Sequence, residues 1–345
     1  MISRVVARAP SACGPSAWWI GLFALPVLCV AVSCAASEYG STGRDEAGPD
    51  RFDIVYRGLS IQPKAPKGLR IWGSIYRDHS KIEPEYAFPM SSEMFGFLGG
   101  LEFKRKSGSV FGLYYHYASE ETKWESGLLD FAEFVNGDAK HHLIGLTYHK
   151  SLPLSHILLN LNGGLDRYGL RFEPDEALGG QELKPQGYQA NFYPQFGVDL
   201  PLGKMIGFKP YIALHYHYLR HDGGFSETVP SIGLEKADYH GLNNLLGLRL
   251  NFMLGGGSLT LQGRAGWVHE YFDKTPTSLS YFGSIPGQFT PIRCNFDGET
   301  ARDWAWLGIG AKFGYGIFRL FTDYDLMVNA RQTSHTVSCC LCIGW

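Results

Sequence analysis

Beyond its amino-terminal segment the sequence has no apolar run long enough to cross a bilayer as a helix. Its mean hydropathy of -0.11 is too polar for a helical membrane protein. Charge of one sign is lacking too. The 31 Lys and Arg residues against 33 Asp and Glu leave a formal net charge of -2, without the basic footprint of a nucleic-acid binder. Cysteine is sparse: of seven, Cys13, Cys29 and Cys34 lie near the amino terminus, Cys294 lies alone, and Cys339, Cys340 and Cys342 crowd the carboxyl end. No spacing supplies the second ligand pair of a zinc site, and no Gly-x-Ser-x-Gly stretch offers a hydrolase nucleophile.

What the chain has instead is alternation. From residue 69 onward, segments of roughly ten residues place apolar side chains on one face and polar ones on the other, as period-2 strands do. Over 208–219, Phe208, Pro210, Ile212, Leu214, Tyr216 and Tyr218 oppose Lys209, Tyr211, Ala213, His215 and His217. Over 188–200, Tyr188, Ala190, Phe192, Pro194, Phe196, Val198 and Leu200 oppose Gln189, Asn191, Tyr193, Gln195 and Asp199. Leu259, Leu261, Ala265, Trp267 and Tyr271 likewise oppose Thr260, Gln262, Arg264 and Glu270. The pattern predicts about twelve strands, at 69–77, 94–105, 109–119, 139–150, 156–168, 187–200, 207–219, 238–253, 258–271, 302–313, 317–328 and 332–345.

A soluble sandwich also alternates, so the connections decide between the two. The links after even strands are tight: Arg105 to Gly108, Ser151 to Ser155, Pro201 to Ile206, Leu254 to Gly257 and Gly314 to Gly316. Those after odd strands are long, except Asn329 to Arg331. Outer-membrane barrels carry short periplasmic turns and long extracellular loops, so the expectation is an all-β, antiparallel transmembrane barrel with both ends in the periplasm. Aromatics agree. Phe103, Phe111, Phe208, Phe252, Phe313, Phe318 and Trp345 fall on the apolar face toward the tight turns, and Tyr117, Tyr218 and Tyr271 lie beside the long loops, as two interfacial girdles would.

The amino terminus reads as a secretory signal over 1–36: Arg4 and Arg8, an apolar stretch from Ala17 to Val32, then small residues Ser33, Ala35 and Ala36, with cleavage near Ala36. Ala31-Val32-Ser33-Cys34 also has the form of a lipobox, which would make Cys34 a lipid anchor. Residues 37–68 are a short periplasmic or lumen-threading segment with Pro49, Pro63 and Pro66 and no amphipathic helix.

On the polar face lie Arg70, Glu102, Lys104, Asp166, Asp199, Lys209, Arg249, Arg264, Glu270, Lys312, Arg319, Asp323 and Asp325, of both signs, expected to pair across a narrow interior. In the last strand Cys339 faces lipid with Val337, Leu341, Ile343 and Trp345, whereas Cys340 and Cys342 face inward as inert thiols; neighbours on opposite faces cannot readily bridge. His215 and His217 on the inner face, with His221 and Asp222 beyond them, are the one candidate water-activating group. A metal site at His141 and His142 fails because adjacent strand residues point to opposite faces.

The block Gly263-Arg264-Ala265-Gly266-Trp267-Val268-His269-Glu270-Tyr271 resembles the Trp-x-His-Glu-aromatic strand of autotransporter β-domains. Gly287-Gln288-Phe289-Thr290, Arg302-Asp303 running into Leu307-Gly308-Ile309-Gly310-Ala311, and Phe321-Thr322-Asp323-Tyr324-Asp325 follow in the same order. The resemblance covers 69–345 and implies a barrel in the outer membrane that carries an upstream passenger, with a linker threaded through the lumen. Here, 37–68 leaves room for little or no passenger, so the alternative is a structural, adhesive or pore-forming barrel whose extracellular loops, around 120–138, 169–186, 220–237 and 272–301, bind a ligand. The series Val337, Leu341, Ile343 and Trp345 resembles the insertion signal read by the barrel-assembly machinery. The expected partners are therefore outer-membrane lipid and that machinery. No cofactor, metal, nucleic acid or enzymatic activity is expected.

Overall fold

A computed structural model of the protein describes residues 68–82, 90–125, 134–173, 181–184, 186–203, 205–222, 224–225, 231–234, 236–255, 258–271, 278–285, 288–295, 302–330 and 332–344. The expected signal segment 1–36, its Cys34, the stretch 37–67 and Trp345 lie outside these residues.

Twelve long strands follow in chain order. They are β1 (Gly68–Ile82), β2 (Met90–Lys104), β3 (Ser109–Glu125), β4 (Phe134–Leu152), β5 (Ser155–Glu173), β6 (Gln186–Val198), β7 (Ile206–His221), β8 (Ala237–Leu254), β9 (Leu259–Glu270), β10 (Asp303–Tyr315), β11 (Phe318–Val328) and β12 (Gln332–Gly344). Each pairs antiparallel with the next, and β12 returns to β1 in register from Arg70↔Gly344 to Ile82↔Gln332. The sheet is a closed barrel. Closure leaves no open edge, which matters in hydrocarbon, where each unpaired backbone group costs several kcal/mol.

The alternation sorts as the sequence predicts, with the polar face inside. Ile144, Leu146 and Ile309 are 63%, 56% and 66% exposed on the outer surface, while their chain neighbours Leu143, Thr147 and Gly308 are buried. Strands overrun their expected ends at the long-loop side: β1 reaches Ile82 instead of 77, β3 reaches Glu125 instead of 119, β4 starts at Phe134 and β5 runs to Glu173. Outward residues there are polar (Lys81, Glu121, Lys123, Asp138, Lys140), so the apolar alternation ends at the membrane surface while the ladder continues into water. The stretches expected as loops at 220–237 and 272–301 also contain strands. Gly224–Phe225, Ser231–Leu234, Ser278–Ile285 and Gln288–Asn295 form a separate four-stranded antiparallel sheet.

At the opposite end the turns are tight. Gly108 and Gly316 supply the left-handed backbone there, with φ of 80° and 56°. The turn between β4 and β5 instead puts Leu154, 62% exposed, at φ 61°, a conformation that L-residues with a Cβ adopt only at a cost. Pro194 lies within β6, and the β6–β7 register skips from Phe192↔Tyr216 to Gln195↔Ala213 around this residue without an N–H.

Inside, rings lie flat over glycines of the adjacent strand. Tyr76 covers Gly96, Tyr114 covers Gly145 and Tyr211 covers Gly247; an added Cβ at any of these glycines would fall inside the ring. At Gly100 it would lie 2.8 Å from Cε2 of Trp72. The missing side chains let large lumenal rings pack against the wall instead of standing across the interior.

Candidate functional site: the barrel lumen

The lumen has two chemically different walls. The wall from β3 to β7 is dominated by uncharged polar groups, with Glu120 beside His141 on β3 and β4 at 3.4 Å and the Asp199–Lys209 pair near the tight turns as its charges. Tyr114 Oη donates to Asn160 Oδ1 at 3.0 Å and accepts from Asn162 Nδ2 at 2.9 Å. Asn191 Nδ2 donates to Asn162 Oδ1 at 2.9 Å and to Gln189 Oε1 at 3.3 Å, and His215 Nε2 meets Asn191 Oδ1 at 3.2 Å. Tyr193 Oη donates to Gln195 Oε1 at 3.3 Å, and Gln195 Nε2 reaches His156 Nε2 at 3.2 Å. These side chains belong to four strands, and period 2 brings them to one face as two hydrogen-bonded sets of amides, hydroxyls and imidazoles, whose nearest approach is the edge contact of the Tyr193 and His215 rings.

The wall from β9 through β12 to β2 carries charge. Arg264 on β9 reaches over β10 to β11, with Nη1 2.6 Å from Asp323 Oδ1 and Nη2 2.9 Å from Asp325 Oδ1. Trp306 Nε1 donates to Asp325 Oδ1 at 3.0 Å. Gly308 lies beneath this bridge; a Cβ there would stand 2.6 Å from Arg264 Nε. Arg70 pairs with Glu102 on the neighbouring strand. Lys209 Nζ on β7 lies 2.6 Å from Asp199 Oδ1, and the Arg249 guanidinium on β8 stacks 4.3 Å from the Tyr211 ring centroid. The charges therefore pair along the wall between nearby strands, not across the interior. The side chain of Asp166 lies outside those described.

Outside, the boundary at the long-loop end is a ring of tyrosine and histidine. Tyr115 Oη meets His142 Nδ1 at 2.7 Å, Tyr216 Oη meets His240 Nδ1 at 2.7 Å, and Tyr324 Oη meets His335 Nδ1 at 2.8 Å. One step nearer the long loops, Tyr218 Oη donates to Asp238 Oδ1 at 2.7 Å. At the tight-turn end Phe103, Phe111, Phe252 and Phe318 are exposed. Of the expected residues at the long-loop end, Tyr271 is exposed and Tyr117 and Tyr218 are half-buried on the outer face, one step beyond the Tyr115 and Tyr216 pairs; at the other end Phe208 and Phe313 are half-buried.

The remaining expected groups separate. His141 is buried inside while His142 faces out, and no group of three or more His, Cys, Asp or Glu positioned for a metal occurs among the described residues. His217 is buried over Gly241, whereas Asp222 is exposed and lies 3.6 Å from Arg220. Val337, Leu341 and Ile343 project from the outer face of β12, and Cys340 and Cys342 from the inner. Sequence reasoning named the charged lumenal residues but passed over the amide track, whose only signal was Asn and Gln recurring at alternate positions of β5 and β6.

The family described as autotransporter beta-domain matches residues 71–325. The chain belongs to this family. Among solved structures, this β-domain is similar to the translocator domain of the autotransporter NalP from Neisseria meningitidis, at 14% identity and a TM-score of 0.69, over 85% of this chain and 93% of that one. It is also similar to the transport unit of the autotransporter AIDA-I from Escherichia coli, at 11% identity and a TM-score of 0.59, over 88% and 99%. The beta domain of the Bordetella autotransporter BrkA aligns at 14% identity and a TM-score of 0.57, over 81% and 100%. Identities this low carry the fold alone. No curated protein matches the sequence. The autotransporter β-domain is an outer-membrane, transport-type barrel, so its apolar outer face meets lipid.

Proposed function

We propose that the barrel conducts an extended polypeptide segment along its amide-lined wall, with residues 37–68 of this chain as the threading segment. The observation that carries this is the amide track from Tyr114 to His215. Amides and hydroxyls offer donors and acceptors to the backbone N–H and C=O of any extended chain without selecting its charge. An epitope tag placed after Ser37 tests it in intact cells: surface labelling is expected, and a tag found only in the periplasm overturns it.

Export and assembly complete the proposal. Residues 1–36 act as a signal peptide cleaved near Ala36. The outward series Val337, Leu341 and Ile343, ending in Trp345, is the signal by which the barrel-assembly machinery takes up the strand that must find β1. In this reading the protein is a conduit and not an enzyme, and His217 is a wall residue. Its conductance is weakly selective, because lumenal charges of both signs are already paired.

A second reading rests on a separate observation. The four-stranded sheet built from Gly224–Phe225, Ser231–Leu234, Ser278–Ile285 and Gln288–Asn295 gives the long connections an ordered surface, as a ligand-binding or adhesive barrel would need. Deleting 278–295 separates the two: adhesion falls while tag exposure persists if the sheet is the functional element.

A further inference from the structure

We propose that Cys340 and Cys342 form a lumenal site for one monovalent soft metal ion, Cu(I) by chemistry, held as a two-coordinate bis-thiolate. The two residues are 4% and 1% exposed on the inner face of β12, with Sγ atoms 3.7 Å apart, while Cys339 lies on the other face. Two thiols this close in a protein of the oxidising cell exterior pose a choice between a disulfide and a metal.

The ladder decides against the disulfide. β12 is paired on both sides here: Cys340 stands opposite Ser74 and Phe321, and Cys342 opposite Trp72 and Arg319. In such an extended strand, residues i and i+2 sit about 6.6 Å apart with their Cβ atoms pointing the same way. A disulfide needs Cβ atoms about 3.5–4.5 Å apart. Closing one would tear β12 from both neighbours.

A metal asks for no such movement. With thiolate–metal bonds of about 2.3 Å, two sulfurs on one ion lie about 3.8 Å apart at a tetrahedral angle and about 4.6 Å apart when collinear. The observed 3.7 Å is just under the tetrahedral value and about 0.9 Å short of the collinear one, so side-chain rotation has to spread the sulfurs for two-coordinate binding while the backbone stays in place. No third or fourth His, Cys, Asp or Glu completes a metal-ligand group among the described residues, which suits a two-coordinate ion and not four-coordinate zinc. Binding replaces two S–H protons by one cation, giving [RS–M–SR]⁻ and two released protons. Of the flanking cations, Arg70, opposite Gly344, is paired with Glu102, and Arg319, opposite Cys342, donates to the turn carbonyls of Gly316 and Phe318.

The test is a titration of the full purified chain, reduced and in detergent, with Cu(I) against a competing chromophoric chelator. One Cu(I) per chain is expected in the wild type and in Cys294→Ser and Cys339→Ser. Cys340→Ser and Cys342→Ser should each lose that equivalent, or bind it at least a hundredfold more weakly. Since either variant could fail to assemble, the X-ray absorption spectrum of the unmutated Cu(I) complex is a second readout, expected to give two sulfur neighbours and no others. The proposal is overturned by absence of binding, by stoichiometry unchanged in the double variant, by a spectrum without two sulfurs, or by a Cys340–Cys342 disulfide in the protein as isolated.

Discussion

Replacing Gly145 by alanine tests how the lumen is packed. The new Cβ would occupy the space of the Tyr114 ring, which must swing off the wall and give up its bonds to Asn160 and Asn162. Overfilling a packed site costs about 1–3 kcal/mol. Each lost hydrogen bond adds about 0.5–1.5 kcal/mol, so Gly145→Ala should destabilise the barrel by about 3 kcal/mol. Tyr114→Phe removes only the hydroxyl and should cost about 2 kcal/mol, because Asn160 and Asn162 stay buried without that partner. In a Tyr114→Ala background there is no ring to displace, and Gly145→Ala should then cost under about 1 kcal/mol, a coupling of about 2 kcal/mol or some thirtyfold in the folding equilibrium. Reversible urea unfolding in lipid vesicles, followed by tryptophan fluorescence, measures all four corners of this cycle. Additive costs would show that the ring over Gly145 is no constraint and would refute the packing account.

Arg264→Leu leaves Asp323 and Asp325 as buried carboxylates without their guanidinium and should destabilise by about 3–5 kcal/mol in the same assay. Leu154→Gly should stabilise by about 1 kcal/mol, since glycine occupies the left-handed region without the Cβ penalty; no change in urea midpoint would contradict this. Trp345→Ala should lower the fraction of protein reaching the heat-modifiable folded form in cells, if the terminal aromatic is read during assembly.

The sequence displayed the fold because lipid imposes period 2 on every strand it touches. Phe208, Pro210, Ile212 and Leu214 announce β7 without any knowledge of their neighbours. Where lipid ends the signal ends: the extensions of β3 beyond 119 and of β4 before 139 carry outward polar residues that read as loop. The sheet formed by Ser231–Leu234 and Ser278–Ile285 joins segments far apart in sequence and has no local signature. In the lumen, charged residues such as Arg264 and Asp325 were legible one by one. Their pairing was not, because it depends on Gly308 clearing a path across β10, a property of register and not of residue type. The thiol pair was visible as Cys340 and Cys342 on one face; the separation of their sulfurs was not.

The central claim is that the outer face of the strands meets hydrocarbon while the inner face is a protein-lined lumen. Spin labels placed one at a time at Leu143, Ile144, Leu146 and Thr147 of β4 in vesicle-reconstituted protein measure it directly through oxygen accessibility. High oxygen contact at Ile144 and Leu146, against low contact at Leu143 and Thr147, is the expected result. Uniform accessibility along the segment, or the opposite phase, would contradict the account.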